Sequence, residues 1–327
     1  MKIGLQLTQN QEKYSTLTSI LKSKLDKKNG ITFLQIGNDD DLKTKIDSLD
    51  ILVAYKINEK IFSHSSKTLK WVHLGSAGIE QSLFPEILKS KTIITNASGI
   101  HAGPVSEFVM GMILYFSKQF LGCEKFKSNQ KWAQWELAKK TIQLKNKTIG
   151  IIGFGEIGKS IAQKAKAFDM KVIATRRLQK KIENKKIVDE LIPLSELTYL
   201  LKNSDYIVVA CPLTPLTNGM ISKAELGKMK SSAFIINIAR GAIIDESALI
   251  HALKENKIAG AGLDVFENEP LDKDSPLFEL DNVFLSPHIS GNFPEYQHDV
   301  VVQFAENLNR YLSGKSLKNR VCKKRLY

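Results

Sequence analysis

Cysteine is scarce in this chain: Cys123, Cys211 and Cys322 are the whole complement, far apart and odd in number. No Cys-x-x-Cys pair occurs, which argues against both a disulfide framework and a zinc site. The six histidines show no i, i+4 pairing and no carboxylate clustering, so no metal centre is expected. Apolar runs of about 18 residues are missing, and with them any expected transmembrane helix. The opening residues, Met1-Lys2-Ile3-Gly4-Leu5-Gln6-Leu7, carry one charge and a short strand-like run. They lack the long apolar stretch and small-residue cleavage site of a secretory leader, so a cytoplasmic location is expected. No internal repeat or low-complexity stretch is visible.

Acidic residues are also in deficit, 34 Asp and Glu against 47 Lys and Arg, for a formal net charge of +13. Such an excess raises nucleic acid or an anionic surface as a partner. The lysines, however, are spread over nearly every segment, and only residues 318–325 are dense. Short basic tails read as solvated ends, so neither nucleic acid nor membrane is expected as a partner. The charge helps attract an anionic substrate and cofactor without naming them.

What the chain does have is a βαβ rhythm. Its 327 residues are long for one core and comfortable for two. Strand patterns at 2–7, 31–36, 51–54, 70–74 and 92–95, with a helix at 14–25, describe a small α/β domain. A second series follows at 148–153, 171–175, 206–210, 234–238, 260–265 and 283–286. Residues 105–116 are apolar nearly all round, marking a helix that is buried or covered by a partner. The segment 127–145 is polar apart from Trp132 and Trp135. An amphipathic helix at 294–312 carries Val301, Phe304, Leu308 and Tyr311 on one stripe. It cannot bury that stripe alone, so it is expected to return to the first domain.

Gly153-Phe154-Gly155-Glu156-Ile157-Gly158 is a G-x-G-x-x-G between a fully apolar strand and a helix. In that context the first glycine makes the tight turn, the second admits a pyrophosphate, and the third lets helix and strand pack closely. The helix N-terminus offers free N–H groups and a positive dipole end to the phosphates. The second strand ends in Ala174-Thr175-Arg176-Arg177, with no acid to accept the adenosine ribose hydroxyls. Arginine there can pair with a 2′-phosphate instead, so NADP is favoured and NAD remains possible. The alternative is that both arginines point to solvent.

Three later strands end in polar clusters, where open α/β sheets place ligands. They are Ile238-Ala239-Arg240-Gly241, Asp264-Val265-Phe266-Glu267-Asn268-Glu269-Pro270 and Ser286-Pro287-His288. With the glycine turn and the order of the domains, these segments closely resemble the D-isomer-specific 2-hydroxyacid dehydrogenases, over nearly the whole chain. The resemblance implies two doubly wound parallel-sheet α/β domains, a Rossmann cofactor domain inserted into a smaller flavodoxin-like substrate domain. Residues 1–98 with 292–327 would form the substrate domain, and 99–291 the NAD(P)-binding domain with a dimerisation arm at about 118–146.

By the same resemblance, Arg240 would hold the carboxylate and carbonyl oxygen of a small 2-keto acid, His288 would exchange the proton, and Glu269 would orient His288. Glu267 competes for that last role, and only the family pattern chooses Glu269. Asp264 would meet the nicotinamide side of the cofactor. Cys211, Pro212 and Thr217 would line its adenosine half, and Ile238, Ala239 and Gly291 would complete the cofactor site. The loop Gly75-Ser76-Ala77-Gly78 would grip the substrate carboxylate through backbone N–H groups. The apolar helix and the Trp132/Trp135 arm would form a homodimer. His101 and Gly103 depart from the family's usual wording; His101 and His298 are set aside as lying on helices outside the strand-end cluster. The expected activity is hydride transfer between NAD(P)H and C2 of a 2-keto acid. The alternative is a nucleotide-binding regulator of the same fold, as in the family's transcriptional co-repressors.

Overall fold

The computed structural model describes residues 1–26, 30–65, 68–177 and 186–324; Arg325, at the end of the basic stretch, lies outside them. The chain forms two compact units, residues 1–100 with 293–327, and residues 101–292. Among the described residues no helix is long and apolar enough to cross a membrane.

In the first unit β1 (Lys2–Gln6), β2 (Thr32–Gln35), β3 (Ile51–Ala54), β4 (Trp71–Leu74) and β5 (Ile93–Asn96) form one sheet in the order β2-β1-β3-β4-β5. Every pairing is parallel. Strands covered on both faces lose the alternation of half-exposed ones. Accordingly all four residues of β3 and of β4 are buried, His73 among them. Burial alone pushes the His73 imidazole down to about 3, so it sits neutral in the core. Its Nδ1 lies 2.8 Å from Thr95 Oγ1, which also accepts the Trp71 indole N–H at 2.8 Å.

The C-terminal helix Tyr296–Leu312 belongs to this unit and packs along the first helix, Gln11–Ser23. Val300, Val301, Phe304, Ala305 and Leu308 join Leu17, Leu21 and Trp71 in one cluster. Tyr311 stands at its edge, stacked 5.5 Å from Trp71. Fully burying a large aliphatic or aromatic side chain contributes roughly 1.5–3 kcal/mol.

The second unit holds β6 (Thr148–Ile152), β7 (Lys171–Thr175), β8 (Glu190–Ile192), β9 (Tyr206–Val209), β10 (Phe234–Asn237), β11 (Gly260–Leu263) and β12 (Val283–Leu285). Their order is β12-β11-β10-β9-β6-β7-β8, again all parallel. The strand order reverses between β6 and β9, the point at which doubly wound sheets open a crevice. β8 has no counterpart in the sequence reading, because three residues are too few to show a period.

The apolar helix spans Ala102–Ser117 and runs along the helix Glu156–Ala167. Val105, Val109, Met110, Met112, Ile113 and Phe116 are buried within the unit itself. Of the two readings, buried or covered by a partner, burial within this chain accounts for these six, while Phe108, Leu114 and Tyr115 are partly buried. The uncovered apolar groups come just after it, where two short helices, Phe120–Asn129 and Gln134–Ala138, carry no buried residue. Trp132 is 76% exposed and Trp135 73%.

Candidate active site

The turn after β6 has the shape its glycines demand. Gly153 takes φ +106°, and a Cβ there would lie 2.8 Å from Ala210 O and Cys211 N, so the loops after β6 and β9 meet at the reversal point. A Cβ on Gly158 would come within 2.2 Å of Gly153 O. Gly155, by contrast, faces open space and caps the helix Glu156–Ala167 with no side-chain bond to its first turn. The N–H groups of Glu156, Ile157 and Gly158 are the ones a helix leaves without intrahelical partners. An unfilled cradle at a helix N-terminus fits a diphosphate.

Around this turn Thr175 is buried, and its hydroxyl accepts the Gly153 N–H at 3.2 Å. Arg176 is half-buried, its N–H bonded to Ile192 O at 3.0 Å, and Arg177 is exposed. No carboxylate occurs between Lys171 and Lys181. Burial pushes the Cys211 thiol up to about 12, which disfavours its thiolate form. In the same loop Thr217 Oγ1 donates to Pro212 O at 2.7 Å and accepts from Thr214 N at 2.8 Å.

β10, β11 and β12 are neighbours whose last residues are level, Asn237 beside Leu263 and Leu263 beside Leu285. The polar clusters that follow them therefore emerge at one edge. Ile238 is buried, and Ala239 and Arg240 are half-buried. Asn237 braces the turn by donating to Arg240 O at 2.9 Å and accepting Ala239 N–H at 3.1 Å. The Arg240 guanidinium donates to Ala239 O at 2.6 Å. A Cβ at Gly241 would strike Phe266 C at 1.9 Å, so this turn lies flat against the chain leaving β11.

His288 and Glu269 form a pair, Nδ1 to Oε2, at 2.8 Å. The other carboxylate oxygen of Glu269 accepts Phe266 N–H at 3.1 Å, which fixes its orientation. With Nδ1–H committed to the carboxylate, Nε2 is the nitrogen left to exchange a proton. The imidazole is half-exposed and reachable. Glu267 instead bonds through its N–H to Glu246, at 3.1 Å, and stands outside the pair.

Asp264 carries a role that sequence reading did not foresee. Its side chain is fully buried and accepts from Ser286 Oγ at 2.7 Å, Ile289 N at 2.9 Å and Ser290 N at 3.0 Å. Its carbonyl accepts His288 N–H at 2.9 Å. His288 has φ +54°, a left-handed conformation costing a β-carbon residue roughly 1–2 kcal/mol. The buried carboxylate is what holds that strained loop in place.

His101 corrects the sequence reading. It caps the Ala102–Ser117 helix, and its ring lies so close to Gly291, in the His288 loop, that a Cβ there would be 2.7 Å from His101 Cδ2. Burial first, then the positive fields of Arg240 and His288, hold its imidazole below the ordinary histidine range. It belongs to the strand-end cluster. His298 lies exposed on the C-terminal helix of the first unit, 2.9 Å from Asp299.

In the first unit Gly75, Ser76, Ala77 and Gly78 follow β4. Among the described residues the N–H groups of Ser76, Ala77 and Gly78 have no hydrogen-bond partner. Such a run of free amides is able to bind an anion.

Comparison with known proteins agrees with this geometry. The family described as "D-isomer specific 2-hydroxyacid dehydrogenase, NAD binding domain" matches residues 110–290. The glyoxylate reductase of Thermococcus litoralis is 35% identical over 284 residues, covering 85% of this chain and 84% of its own. A D-3-phosphoglycerate dehydrogenase from Methanocaldococcus jannaschii is 34% identical over 86% of this chain and 53% of its own. Among solved structures, the NADPH-dependent glyoxylate/hydroxypyruvate reductase of Sinorhizobium meliloti, bound to NADP and sulfate, superposes with a TM-score of 0.84. It is 25% identical and covers 100% of this chain and 99% of its own.

Proposed function

The chain belongs to the D-isomer-specific 2-hydroxyacid dehydrogenase family, and from that premise we propose that it reduces a small 2-keto acid such as glyoxylate with NADPH. It is an NAD(P)-dependent oxidoreductase of that family. The observation that carries the proposal is the His288–Glu269 pair at the level end of β10, β11 and β12, the edge from which Arg240 also emerges.

When bound, the reduced nicotinamide supplies the hydride to C2. Arg240 holds the keto acid by its carboxylate and carbonyl oxygen, a two-point capture suited to a planar fork. His288 Nε2–H gives its proton to that oxygen as it becomes an alkoxide, while Glu269 keeps the ring in the correct tautomer. The free amides of Ser76, Ala77 and Gly78 are assigned to the carboxylate. Gly153, Gly155, Glu156, Ile157, Gly158, Thr175, Arg176, Arg177, Cys211, Pro212 and Thr217 would hold the cofactor, with Ile238, Ala239 and Gly291 on its nicotinamide side and the buried Asp264 supporting that loop.

The NADPH preference rests on Arg176 and on the lack of any acid at the end of β7. A hydrogen bond to a charged group is worth about 1.5–3 kcal/mol. Arg176→Asp therefore lowers the NADPH/NADH ratio of kcat/KM by roughly 10- to 100-fold, by losing that bond and repelling the phosphate. The assay is a panel of 2-keto acids with each cofactor. Equal use of both cofactors by the wild type removes the arginine from the argument. No oxidation of either cofactor with any keto acid favours a nucleotide sensor instead.

A homodimer belongs to the same proposal, supported by the exposed Phe120, Phe126, Trp132 and Trp135 of the arm. Aromatic anchors of this kind dominate interface energies. Light scattering at micromolar concentration gives twice the chain mass for the wild type and a shift toward one chain mass for the Trp132→Ala/Trp135→Ala double variant. A monomeric wild type overturns it.

A further inference from the structure

The loop Gly75–Ser76–Ala77–Gly78 is unusual in how its four carbonyls are used. Gly75 O accepts from the phenol of Tyr296, the first residue of the C-terminal helix. Ser76 O accepts Ala97 N–H at 3.1 Å. Ala77 O accepts from Asn96 Nδ2 at 3.1 Å, and Gly78 O from the Ser76 hydroxyl at 2.8 Å. All four acceptors are thus occupied from inside the unit, while the N–H groups of Ser76, Ala77 and Gly78 have no partner among the described residues. A trans peptide plane sets its C=O and N–H in opposite directions. Fixing the Gly75 carbonyl toward Tyr296 therefore turns the Ser76 N–H away from it.

We propose that Tyr296 is a positioning residue for substrate capture: its phenol sets the orientation of the Gly75–Ser76 peptide and so the alignment of the three free amides for the carboxylate. The proposal rests on the reading of this loop as the carboxylate grip. Tyr296 is itself well held. Its ring stacks on Tyr55 at 6.4 Å with planes 16° apart, and Phe293 meets it edge-on at 5.7 Å. Gln297 Nε2 ties the next residue of the helix to Tyr55 Oη at 2.7 Å and to Leu7 O at 2.8 Å. Burial, with a smaller contribution from Tyr55, pushes the Tyr296 phenol above its ordinary range, so it remains a donor at any working pH.

Tyr296→Phe tests this, since it removes the hydroxyl and keeps the ring packing. Binding of the carboxylate is made equally in ground and transition states, so its loss raises KM and spares kcat. The KM for glyoxylate and the Kd for oxalate, a non-reducible anion, rise about tenfold, while kcat and the Kd for NADPH stay within about twofold. In 15N-labelled wild type, oxalate shifts the amide signals of Ser76, Ala77 and Gly78 downfield, and in Tyr296→Phe those shifts shrink. If the wild-type amides respond but Tyr296→Phe keeps both the oxalate affinity and the shifts, Tyr296 has no positioning role and the loop reading stands. If the wild-type amides do not respond to oxalate, the loop reading falls and the proposal falls with it. A loss confined to kcat or to NADPH binding also overturns it.

Discussion

His288→Ala lowers kcat by about 10²- to 10⁴-fold, the usual worth of a positioned general acid, and leaves the Kd for NADPH within about twofold. The reason for the split is positional. His288 Nε2 is the free end of a ring whose Nδ1 is bound to Glu269 at 2.8 Å, at the end of β12, and the glycine turn lies at the end of β6. Glu269→Gln gives an intermediate loss. An amide keeps a hydrogen bond to Nδ1 but carries no charge to balance the imidazolium from which Nε2 gives its proton. Steady-state kinetics with a single keto acid, plus cofactor titration by fluorescence, separate the two effects. A His288→Ala enzyme that keeps most of its kcat removes the pair from the proton path.

Arg240→Ala is expected to lower kcat/KM by about 10²- to 10⁴-fold, because two hydrogen bonds to charged oxygen are lost at roughly 1.5–3 kcal/mol each. The loss is divided. The carboxylate bond is made in the ground state and appears in KM, whereas the bond to the carbonyl oxygen strengthens as negative charge develops and appears in kcat. Arg240→Lys recovers only part of it, since an ammonium is a point charge without the second prong. Unfolding is a poor explanation for the effect: the side chain is half-buried, and besides the guanidinium the turn is braced by Asn237 and by Gly241 against Phe266. Near-normal kinetics in Arg240→Ala contradicts the assignment.

The parts of this site legible in the sequence are the local ones. The glycine spacing of 153–158 is visible because the strand, the turn and the helix start are contiguous. Strand ends such as Asn237–Arg240 show because an apolar run stops at a charge. Two α/β domains follow from the βαβ rhythm for the same reason. What remained hidden depends on residues far apart in the chain. His101 was set aside as a helix residue, yet that helix begins against Gly291, 190 positions later. The buried Asp264 holds Ile289 and Ser290 across 25 and 26 positions, and Tyr296 reaches Gly75 across 221. No pattern in a single sequence encodes such pairings. The apolar helix left two readings open for a related reason: Val105–Phe116 shows how much surface must be covered, and only the packing against Glu156–Ala167 and the sheet shows how much of it this chain covers.

The most direct measurement follows a labelled hydrogen. The wild-type protein is incubated with hydroxypyruvate and NADPH deuterated at the transferable C4 position, and the product is analysed by mass spectrometry and chiral chromatography. The account predicts one deuterium per product molecule, bonded to C2, in a glycerate of D configuration. That incorporation disappears in His288→Ala at equal times while NADPH still binds. Unlabelled product would mean that the hydrogen does not come from the cofactor, and L product would mean that hydride reaches the opposite face of C2. Either result would contradict the assignment of this chain as a D-specific 2-keto acid reductase.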